Sequence, residues 1–414
     1  MRKIINFFKS WKYFSLEKRN NVALVGIQGE DLLSYFKNEN IEYFCTQQIR
    51  PFNILTVPLA IYLFFKTLII DPKFFFNSLR LSHSIYLIAA FISKKKITTL
   101  VSFTDYNEIN LFIKKVLENN LNLISIQNSR RDKRINHFKY DQSFILYPLN
   151  ENEKKKITNE NFISFGSLRL LLEIEKNSMW KTIAKKNDIK IIRSIVIVSS
   201  FSPEFLDFFF KEIGLEKKID EKMVFEFIDY YSSKNKNLRK LRFMNFLLLL
   251  LYTIEFSQKL NIPIQIINRM EKKNKIYFEK ENLIYNFLDK KIKFLSFSKK
   301  EKYKFIINSK DNIFISDIST FSRECLSLKL RCYFFYPYVK YVEESWFDEN
   351  SIFFNKNDDK DKFIESLKKI VNFTEEDFEK NFNNLKNTTY VYPPKKEKIE
   401  YFLKITNLEM KNEV

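Results

Sequence analysis

The sequence predicts an α/β protein with two Rossmann-like domains, and two observations carry this prediction. Short apolar runs of strand length alternate with longer segments in which apolar residues recur at helical spacing. Residues 313–336 read as a complete unit of strand, polar turn, helix and strand, which is typical of a parallel sheet. A hydrophobic content of 45% in 414 residues supplies enough apolar side chains for two cores and argues against disorder.

The charge and the cysteine and histidine content of the chain limit the partners that we expect it to bind. The chain carries 70 Lys and Arg against 50 Asp and Glu, a formal net charge of +20, which favours nucleotides, nucleic acid or an acidic membrane surface. No RNA-binding motif of interleaved aromatic and basic residues occurs, so we predict no nucleic-acid partner. Three cysteines without a CxxC pair, and only two histidines, predict a reducing, cytosolic compartment and no metal site.

Three aromatic or apolar stretches bear on membrane contact. Residues 1–14 are basic and aromatic but lack the apolar core and cleavage site of a secretory signal, so they read as an amphipathic surface anchor or as a first helix. Residues 50–65 and 81–93 are apolar but shorter than the roughly 20 residues that span a bilayer. We predict that both form buried or interfacial helices.

The first domain is predicted to span residues 1–178. Its predicted strands are residues 21–27, 41–46, 97–103, 121–126, 143–147 and 161–165. A helix is predicted over residues 108–118, and the charged segment 173–190 is predicted to link the domains.

Polar residues follow two strands of this domain. They are Asp105 after strand 97–103, and Gln127, Asn128, Arg130 and Arg131 after strand 121–126. The carboxyl ends of parallel strands meet at one edge of an open sheet, where ligands bind. Asp105 is placed to act as a general base on an acceptor hydroxyl, with an N-cap for the following helix as the alternative. The other four would face an acceptor or a phosphate.

The second domain is predicted to span residues 179–414. Its predicted strands are residues 191–198, 262–267, 292–297, 313–316 and 332–336, and its last three helices are residues 358–371, 374–385 and 398–408. Ser199 and Ser200 follow the first strand and would place hydroxyls over a cleft between the domains. Arg269 follows the second strand and suits a phosphate or diphosphate, although a surface arginine is the alternative.

The polar turn after strand 313–316 is the most informative segment. It contains Ser316, Asp317, Ser319, Thr320 and, one turn into the next helix, Glu324. Ser319 or Thr320 fits a helix N-cap, and a helix N-terminus with added hydroxyls suits a phosphate. Glu324 would accept hydrogen bonds from a ribose diol. The alternative is a capped helix of an ordinary α/β domain with a solvated Glu324.

Two segments carry a family resemblance. The pattern Ser316-Asp317-x-Ser319-Thr320-x-x-x-Glu324 resembles the donor-side motif of GT-B glycosyltransferases that build bacterial surface polysaccharides and lipopolysaccharides. Residues 126–131, IQNSRR, are similar to the IQNGxR motif of a surface carbohydrate biosynthesis transferase family with this fold. Ser129 stands where that family usually has glycine.

The resemblance implies a GT-B-like fold in which two Rossmann-like domains face one another across a cleft. The first domain would hold the acceptor and the second the nucleotide-activated donor, with Ser199 and Ser200 near the donor phosphate and the last helix packing back on the first domain. The implied enzyme is a metal-independent glycosyltransferase with no cofactor, since the nucleotide sugar is its substrate. Its acceptor would be a surface polysaccharide or a lipid-linked glycan, and it would lie in the cytoplasm or peripherally on the anionic inner face of the membrane.

Two alternatives remain open at this stage. Polyol-phosphate transferases of teichoic-acid synthesis carry a similar Ser/Thr-Asp-x-Ser-Ser/Thr pattern, so the transferred group could be a polyol phosphate. The serine at position 129 also leaves open a non-catalytic scaffold of GT-B shape in polysaccharide assembly.

Overall fold

The computed structural model describes residues 11–16, 21–26, 33, 35–37, 41–44, 50–82, 84–103, 108–127, 140–146, 161–176, 192–214, 219–233, 238–270, 274–295, 297, 299–307, 309–317, 319–338, 351–385 and 393–411. The chain divides into two compact units. Unit 1 comprises Met1–Leu172 and Pro393–Val414, and unit 2 comprises Glu173–Tyr392.

The described elements follow one another in an alternating order. The strands are β1 Trp11–Tyr13, β2 Val22–Val25, β3 Ile41–Phe44, β4 Arg50–Phe52, β5 Thr99–Ser102, β6 Asn122–Ile126, β7 Gln142–Ile145, β8 Phe162–Ser164, β9 Ser194–Val198, β10 Ile264–Ile267, β11 Lys293–Leu295, β12 Asn312–Ser316, β13 Arg331–Phe335 and β14 Phe354–Asn355. The helices are α1 Val57–Ile70, α2 Pro72–Leu81, α3 Ile85–Lys95, α4 Glu108–Val116, α5 Leu168–Lys176, α6 Pro203–Glu212, α7 Glu221–Ser233, α8 Leu238–Leu260, α9 Lys275–Leu288, α10 Lys299–Ile307, α11 Thr320–Ser327, α12 Lys360–Val371, α13 Glu375–Asn383 and α14 Lys396–Thr406. A short 3-10 helix, Ile54–Thr56, precedes α1.

Unit 1 is built on a parallel sheet of six strands in the order β3-β2-β5-β6-β7-β8. Its central strands β2, β5 and β6 are buried almost throughout, as expected for a parallel sheet covered on both faces. Helix α3 packs in the core on one face, and α14 packs on the other, where Phe402 contacts the rings of Phe144 and Phe165. We assigned the α14 segment to the second domain and expected its helix to pack back on the first; the compact unit that contains it is unit 1.

Unit 2 is built on a second parallel sheet, with the order β11-β10-β9-β12-β13-β14. In order of appearance along the chain these strands are third, second, first, fourth, fifth and sixth, which is the Rossmann order. Helix α8 packs beside this sheet, where the Asn245 side chain donates to the Phe335 carbonyl over 3.1 Å. The predicted α/β class with two Rossmann-like sheets is confirmed.

The start of the chain differs from the prediction. Residues 11–13 form strand β1, which pairs in parallel with β4, although we predicted an anchor or helix for the first and a helix from residue 50 for the second. Helix α1 begins only at Val57, because Asn53 caps the preceding turn and Pro58 lies in the first helical turn, where its missing N–H has no cost.

No single helix in the described ranges is both long enough and apolar enough to cross a membrane. The sharply bent pair formed by α2 and α3 meets the same length and composition criteria when the two helices are taken together.

Candidate functional site

The candidate site lies at the carboxyl ends of β9, β10 and β12 in unit 2. The order of the sheet reverses between β9 and β12, because the chain adds β10 and β11 on one side of β9 and then returns to add β12 on the other. Open α/β sheets bind ligands at such a reversal, outside the carboxyl ends of the strands. The residues predicted at positions 199, 200, 269, 316 and 317 all follow or end these three strands.

Asp317 is the buried centre of this edge. It has no exposed surface, and one of its oxygens accepts a hydrogen bond from Ser200 Oγ at the end of β9. Its other oxygen, Oδ2, accepts from Arg242 Nε of α8 over 2.9 Å. This carboxylate therefore holds the ends of the two strands and one guanidinium together.

Arg269 brings a second guanidinium to the same edge. Its Nη1 donates to the Ser200 carbonyl over 3.1 Å. Residue 269 is exposed, but its guanidinium is partly removed from solvent. This desolvation, and repulsion from Arg242, lower the pKa of the Arg269 guanidinium. An arginine keeps its charge at neutral pH even so. Two cationic groups in close range make this edge favourable for an anion.

Helix α9 fixes the loops that follow β9 and β10. Glu281 is fully buried and accepts hydrogen bonds from the backbone N–H groups of Arg269 (3.2 Å) and Met270 (2.9 Å). The Tyr285 hydroxyl lies 3.0 Å from Glu281 Oε1 and 2.7 Å from Ser199 Oγ. Burial raises the pKa of Glu281 and that of Tyr285. The Ser199 hydroxyl is therefore engaged by Tyr285. Arg269 lies in a loop whose backbone N–H groups are bound by Glu281.

The N-terminus of α11 lies directly after β12. Of the two predicted N-cap candidates, Ser319 and Thr320, Ser319 is the N-cap, and its Oγ accepts from the Ser322 N–H over 3.3 Å. Thr320 is the first residue of the helix and is half-buried, as Ser319 is. The first N–H groups of a helix lack partners within it and carry the positive end of the dipole. This turn can accordingly contribute backbone and hydroxyl donors to an anion.

Glu324 is buried, contrary to the alternative of a solvated side chain. It keeps 4% of its surface exposed, and its Oε2 accepts from the Tyr303 hydroxyl of α10 over 2.8 Å. Any contact of Glu324 with a ribose stays a prediction.

Two polar atoms at this edge have unmet hydrogen-bonding capacity. Ser316 Oγ at the end of β12 and Asn268 Oδ1 after β10 are buried and find no hydrogen-bond partner in the part of the chain that the structure describes. Buried polar atoms in proteins are nearly always paired, so such exceptions call for an explanation. A polar ligand at the strand ends would supply one.

The predicted acceptor side is described at a single residue. Gln127 is buried after β6, where its side-chain oxygen accepts from the Leu146 N–H over 3.0 Å and so ties the ends of β6 and β7 together. Asp105, Asn128, Arg130 and Arg131 lie outside the described residues.

No cluster of three or more His, Cys, Asp or Glu side chains suited to a metal ion occurs among the described residues. Cys325 and Cys332 are buried free thiols in α11 and β13, and burial raises the pKa of both well above the ordinary range. Both thiols are thus protonated at neutral pH, and both side chains pack in the hydrophobic core.

The sequence reasoning missed four side chains that hold the site. They are Arg242, Glu281, Tyr285 and Tyr303. Glu281 and Tyr285 lie one turn apart on a helix that we did not predict, and Glu281, Ile284 and Tyr285 are all buried. An acidic residue at the spacing of the apolar ones was the available signal.

Comparisons with known proteins identify fold neighbours. The UDP-GlcNAc 2-epimerase of Methanocaldococcus jannaschii, in complex with UDP-GlcNAc and UDP, is 14% identical with a TM-score of 0.50, covering 93% of this chain and 99% of that chain. The UDP-GlcNAc 2-epimerase of Neisseria meningitidis bound to UDP-GlcNAc is 12% identical (TM-score 0.47, 92% and 99% covered). Anabaena HepE in complex with UDP and glucose is 11% identical (TM-score 0.38, 89% and 93% covered).

No protein-family model and no curated protein matches the chain. At these identities the likeness concerns the fold alone. The GT-B-like fold class that the sequence predicts is confirmed.

Proposed function

We propose that this protein is a glycosyltransferase that moves a sugar from a nucleotide-activated donor onto a surface polysaccharide or lipid-linked glycan acceptor. The observation that carries the proposal is the buried charged network at the point where the strand order of unit 2 reverses. There Asp317 joins the ends of β9 and β12 and holds Arg242, close to the guanidinium of Arg269.

The donor diphosphate would lie against Arg269 and the first turn of α11. Arg269 can fork onto two phosphate oxygens, and Ser319, Thr320 and the helix N-terminus add donors and a positive dipole end. Ser316 Oγ would donate to a phosphate oxygen, and Asn268 Oδ1 would accept from a hydroxyl of the sugar or ribose, since both atoms are without partners in the described ranges. Glu324 would accept from the ribose of the nucleotide.

The reaction that these groups support is displacement at the anomeric carbon. An acceptor hydroxyl forms the new C–O bond, the bond from that carbon to the diphosphate oxygen breaks, and the nucleoside diphosphate leaves with the electron pair. Positive groups that face the leaving diphosphate stabilise its developing charge. The hydroxyl proton passes to a general base, for which we retain Asp105.

The first test is ligand stabilisation of the full chain by UDP, GDP, ADP, CDP and CMP. A ligand at 100 times its dissociation constant stabilises by about 2.7 kcal/mol, which a thermal-shift assay detects easily. We expect one nucleoside diphosphate to give the largest shift. A preference for CMP would indicate a donor that releases a nucleoside monophosphate, which is either a CMP-activated sugar or the CDP-activated polyol of the alternative, and assay of the product then separates these two. The absence of any shift would favour the non-catalytic scaffold.

A matched pair of variants tests the location. Arg269→Gln removes the guanidinium from the proposed site, whereas Arg193→Gln removes an exposed one that pairs with Asp311 at the opposite ends of β9 and β12. We expect the first to weaken nucleotide binding about tenfold or more and the second to leave it unchanged. Equal losses in both would mean that the nucleotide responds only to net charge.

An epimerase acting on the same donor is the second candidate, because the neighbour with a TM-score of 0.50 is a UDP-GlcNAc 2-epimerase. Incubation with UDP-GlcNAc alone separates the two. An epimerase produces the sugar inverted at C2 without any acceptor, which proton NMR resolves, whereas a transferase leaves the donor sugar unchanged until an acceptor is added.

A further inference from the structure

Unit 1 exposes an apolar face that its own core does not cover. On α1 the exposed side chains Ile61, Tyr62, Phe65 and Ile69 recur at helical spacing and so form one stripe, while Ala60 and Leu63 on the opposite side are buried. Ile54 and Leu55 extend the exposed apolar surface through the 3-10 helix that precedes α1. We name Ile54, Leu55, Ile61, Tyr62, Phe65 and Ile69 the apolar face.

An aromatic and basic ribbon adjoins this face. Strands β1 and β4 pair in parallel, Arg50 lies over the Trp11 ring at 5.8 Å, and Tyr13 and Lys12 are exposed. The Asn53 side chain joins the ribbon to the apolar face, because it donates to the Phe14 carbonyl (2.8 Å) and accepts from the Leu55 N–H (3.0 Å). The ribbon and the apolar face therefore lie next to one another in unit 1.

The charges around the apolar face are mainly positive. Residues 54–82 contain three basic residues, Lys66, Lys73 and Arg80, and a single acidic one, Asp71. Asp71 pairs with Lys115 (Oδ2 to Nζ, 2.9 Å) and Lys66 pairs with Glu118, so each of these pairs is neutral as a whole. Lys73 and Arg80 therefore give this segment its positive charge.

We infer that this surface docks on an anionic lipid bilayer. Apolar side chains on one face of a helix, with aromatic residues and basic groups beside them, are the combination that holds a helix in the plane of a membrane interface. Each basic residue near an anionic surface adds attraction, and the chain as a whole carries +20. Two copies of this chain docked through the same face would instead bring two basic surfaces together.

The test is sedimentation of the full chain with vesicles, without nucleotide, so that its outcome is independent of the proposed reaction. Vesicles of phosphatidylcholine alone are compared with vesicles that also contain phosphatidylglycerol. We expect binding to the anionic vesicles, weaker binding to the neutral ones, and partial release from the anionic vesicles at high salt.

A matched pair of double variants locates the contact. Ile61→Glu with Ile69→Glu changes apolar-face residues that are 52% and 78% exposed, and Ile276→Glu with Leu283→Glu changes residues of α9 that are 67% and 48% exposed. Both add the same charge at exposed positions. We expect the first pair to weaken vesicle binding about tenfold or more, because it removes buried apolar area at the bilayer, and the second to leave binding near that of the unaltered chain.

Three results would overturn the inference: no vesicle binding by the unaltered chain, equal effects of the two double variants, or a concentration-dependent dimer in the absence of vesicles that Ile61→Glu with Ile69→Glu dissociates. Circular dichroism and thermal unfolding establish that each variant is folded. Should the double variant unfold, Ile69→Ser alone, at the most exposed position of the face, repeats the test.

Discussion

The two sheets of this protein have the same size and strand polarity, yet they bury different chemistry near their strand ends. In unit 2 the buried groups are charged, with Asp317 held to Arg242 and Glu281 holding the backbone of residues 269 and 270. At the described carboxyl ends of the unit 1 strands they are neutral, as where the Gln127 side chain accepts from the Leu146 N–H over 3.0 Å. The buried ion pair that unit 1 does contain, Lys95 with Glu42, lies near the start of β3, away from that edge. A parallel sheet of six strands therefore does not require buried charges at its carboxyl edge.

This difference bears on function because buried charges oppose folding. Removing a carboxylate and a guanidinium from water costs free energy that their mutual attraction often fails to recover. In unit 1, serine hydroxyls and asparagine amides connect neighbouring elements, as Asn110 does by donating to Ser102 Oγ over 3.1 Å. Burying these neutral groups costs less free energy than burying charged ones. We interpret the charged network of unit 2 as a means to hold Arg242 and Arg269 in place for an anionic ligand.

The largest effect is expected from Asp317→Ala. The substitution leaves Arg242 without this carboxylate and Ser200 without its acceptor, and we expect a loss of about 3 kcal/mol in the free energy of unfolding. Urea denaturation measures the loss. The replacement of both partners by apolar residues, Asp317→Leu with Arg242→Met, should recover part of the stability and abolish nucleotide binding. A double variant that binds nucleotide normally would contradict a functional role for the network.

Glu281→Gln should have a smaller effect, about 2 kcal/mol, because glutamine can accept only through one oxygen while two backbone N–H groups and Tyr285 need acceptors. The effect should depend on pH. Burial raises the folded pKa of Glu281 above the ordinary 4.5, so its protonation favours the folded state at low pH and that contribution disappears as the pH rises through the folded pKa.

Urea denaturation at a series of pH values checks this sign. The stability of the unaltered chain relative to Glu281→Gln should fall as the pH rises above about 4.5. A relative stability that rises instead would mean that the hydrogen bonds to the carboxylate outweigh its burial. Unit 1 offers no group of this kind among its described strand ends, so its variants should lack the pH dependence.

Glu324→Gln tests the predicted ribose contact. If Glu324 accepts from the ribose hydroxyls, the variant should bind UDP about tenfold less tightly and should lose any preference for UDP over 2′-deoxy-UDP, since hydrogen bonds to a charged acceptor contribute roughly 1.5–3 kcal/mol. Isothermal titration calorimetry gives both affinities. Tyr303→Phe is the matched control, because it removes the observed partner of Glu324 and leaves the carboxylate. An unchanged preference in Glu324→Gln would assign Glu324 to the support of α10 alone.

The positions of the sheet strands were the part of the fold best predicted from the sequence. Residues such as Ile195, Val196 and Ile197 are apolar without a break, and such runs are distinctive because a parallel strand is buried on both faces. The N-cap of α11 was also predictable, because serine is one of the residues preferred just before the first turn of a helix. Strand β1 was missed because a three-residue strand carries no periodic pattern.

The site was less predictable than the fold for a physical reason. The sequence identifies the residues at a strand end, but a carboxylate such as Asp317 acquires its role from a partner 75 positions away, Arg242, on a helix whose polar residues are not conspicuous. Glu281 and Tyr285 likewise act across distances in the chain that no local pattern records. Helix spacing predicted that Glu324 begins the second turn of α11, whereas its burial depended on Tyr303 of another helix.

The smallest effect is expected from the neutral pair in unit 1. Ser143→Ala removes the acceptor of Ser125 Oγ, and we expect a loss of about 1 kcal/mol in the free energy of unfolding, measured by urea denaturation. The double variant Ser125→Ala with Ser143→Ala should be nearly as stable as the unaltered chain, because no donor is then left without an acceptor. Nucleotide binding should be unchanged in both. Two results would contradict this: a single variant that loses as much stability as Asp317→Ala, or a double variant that loses nucleotide binding. Either would show that the neutral contacts of unit 1 matter as much as the charged contacts of unit 2. The contrast between the two sheets would then carry no information about where the ligand binds.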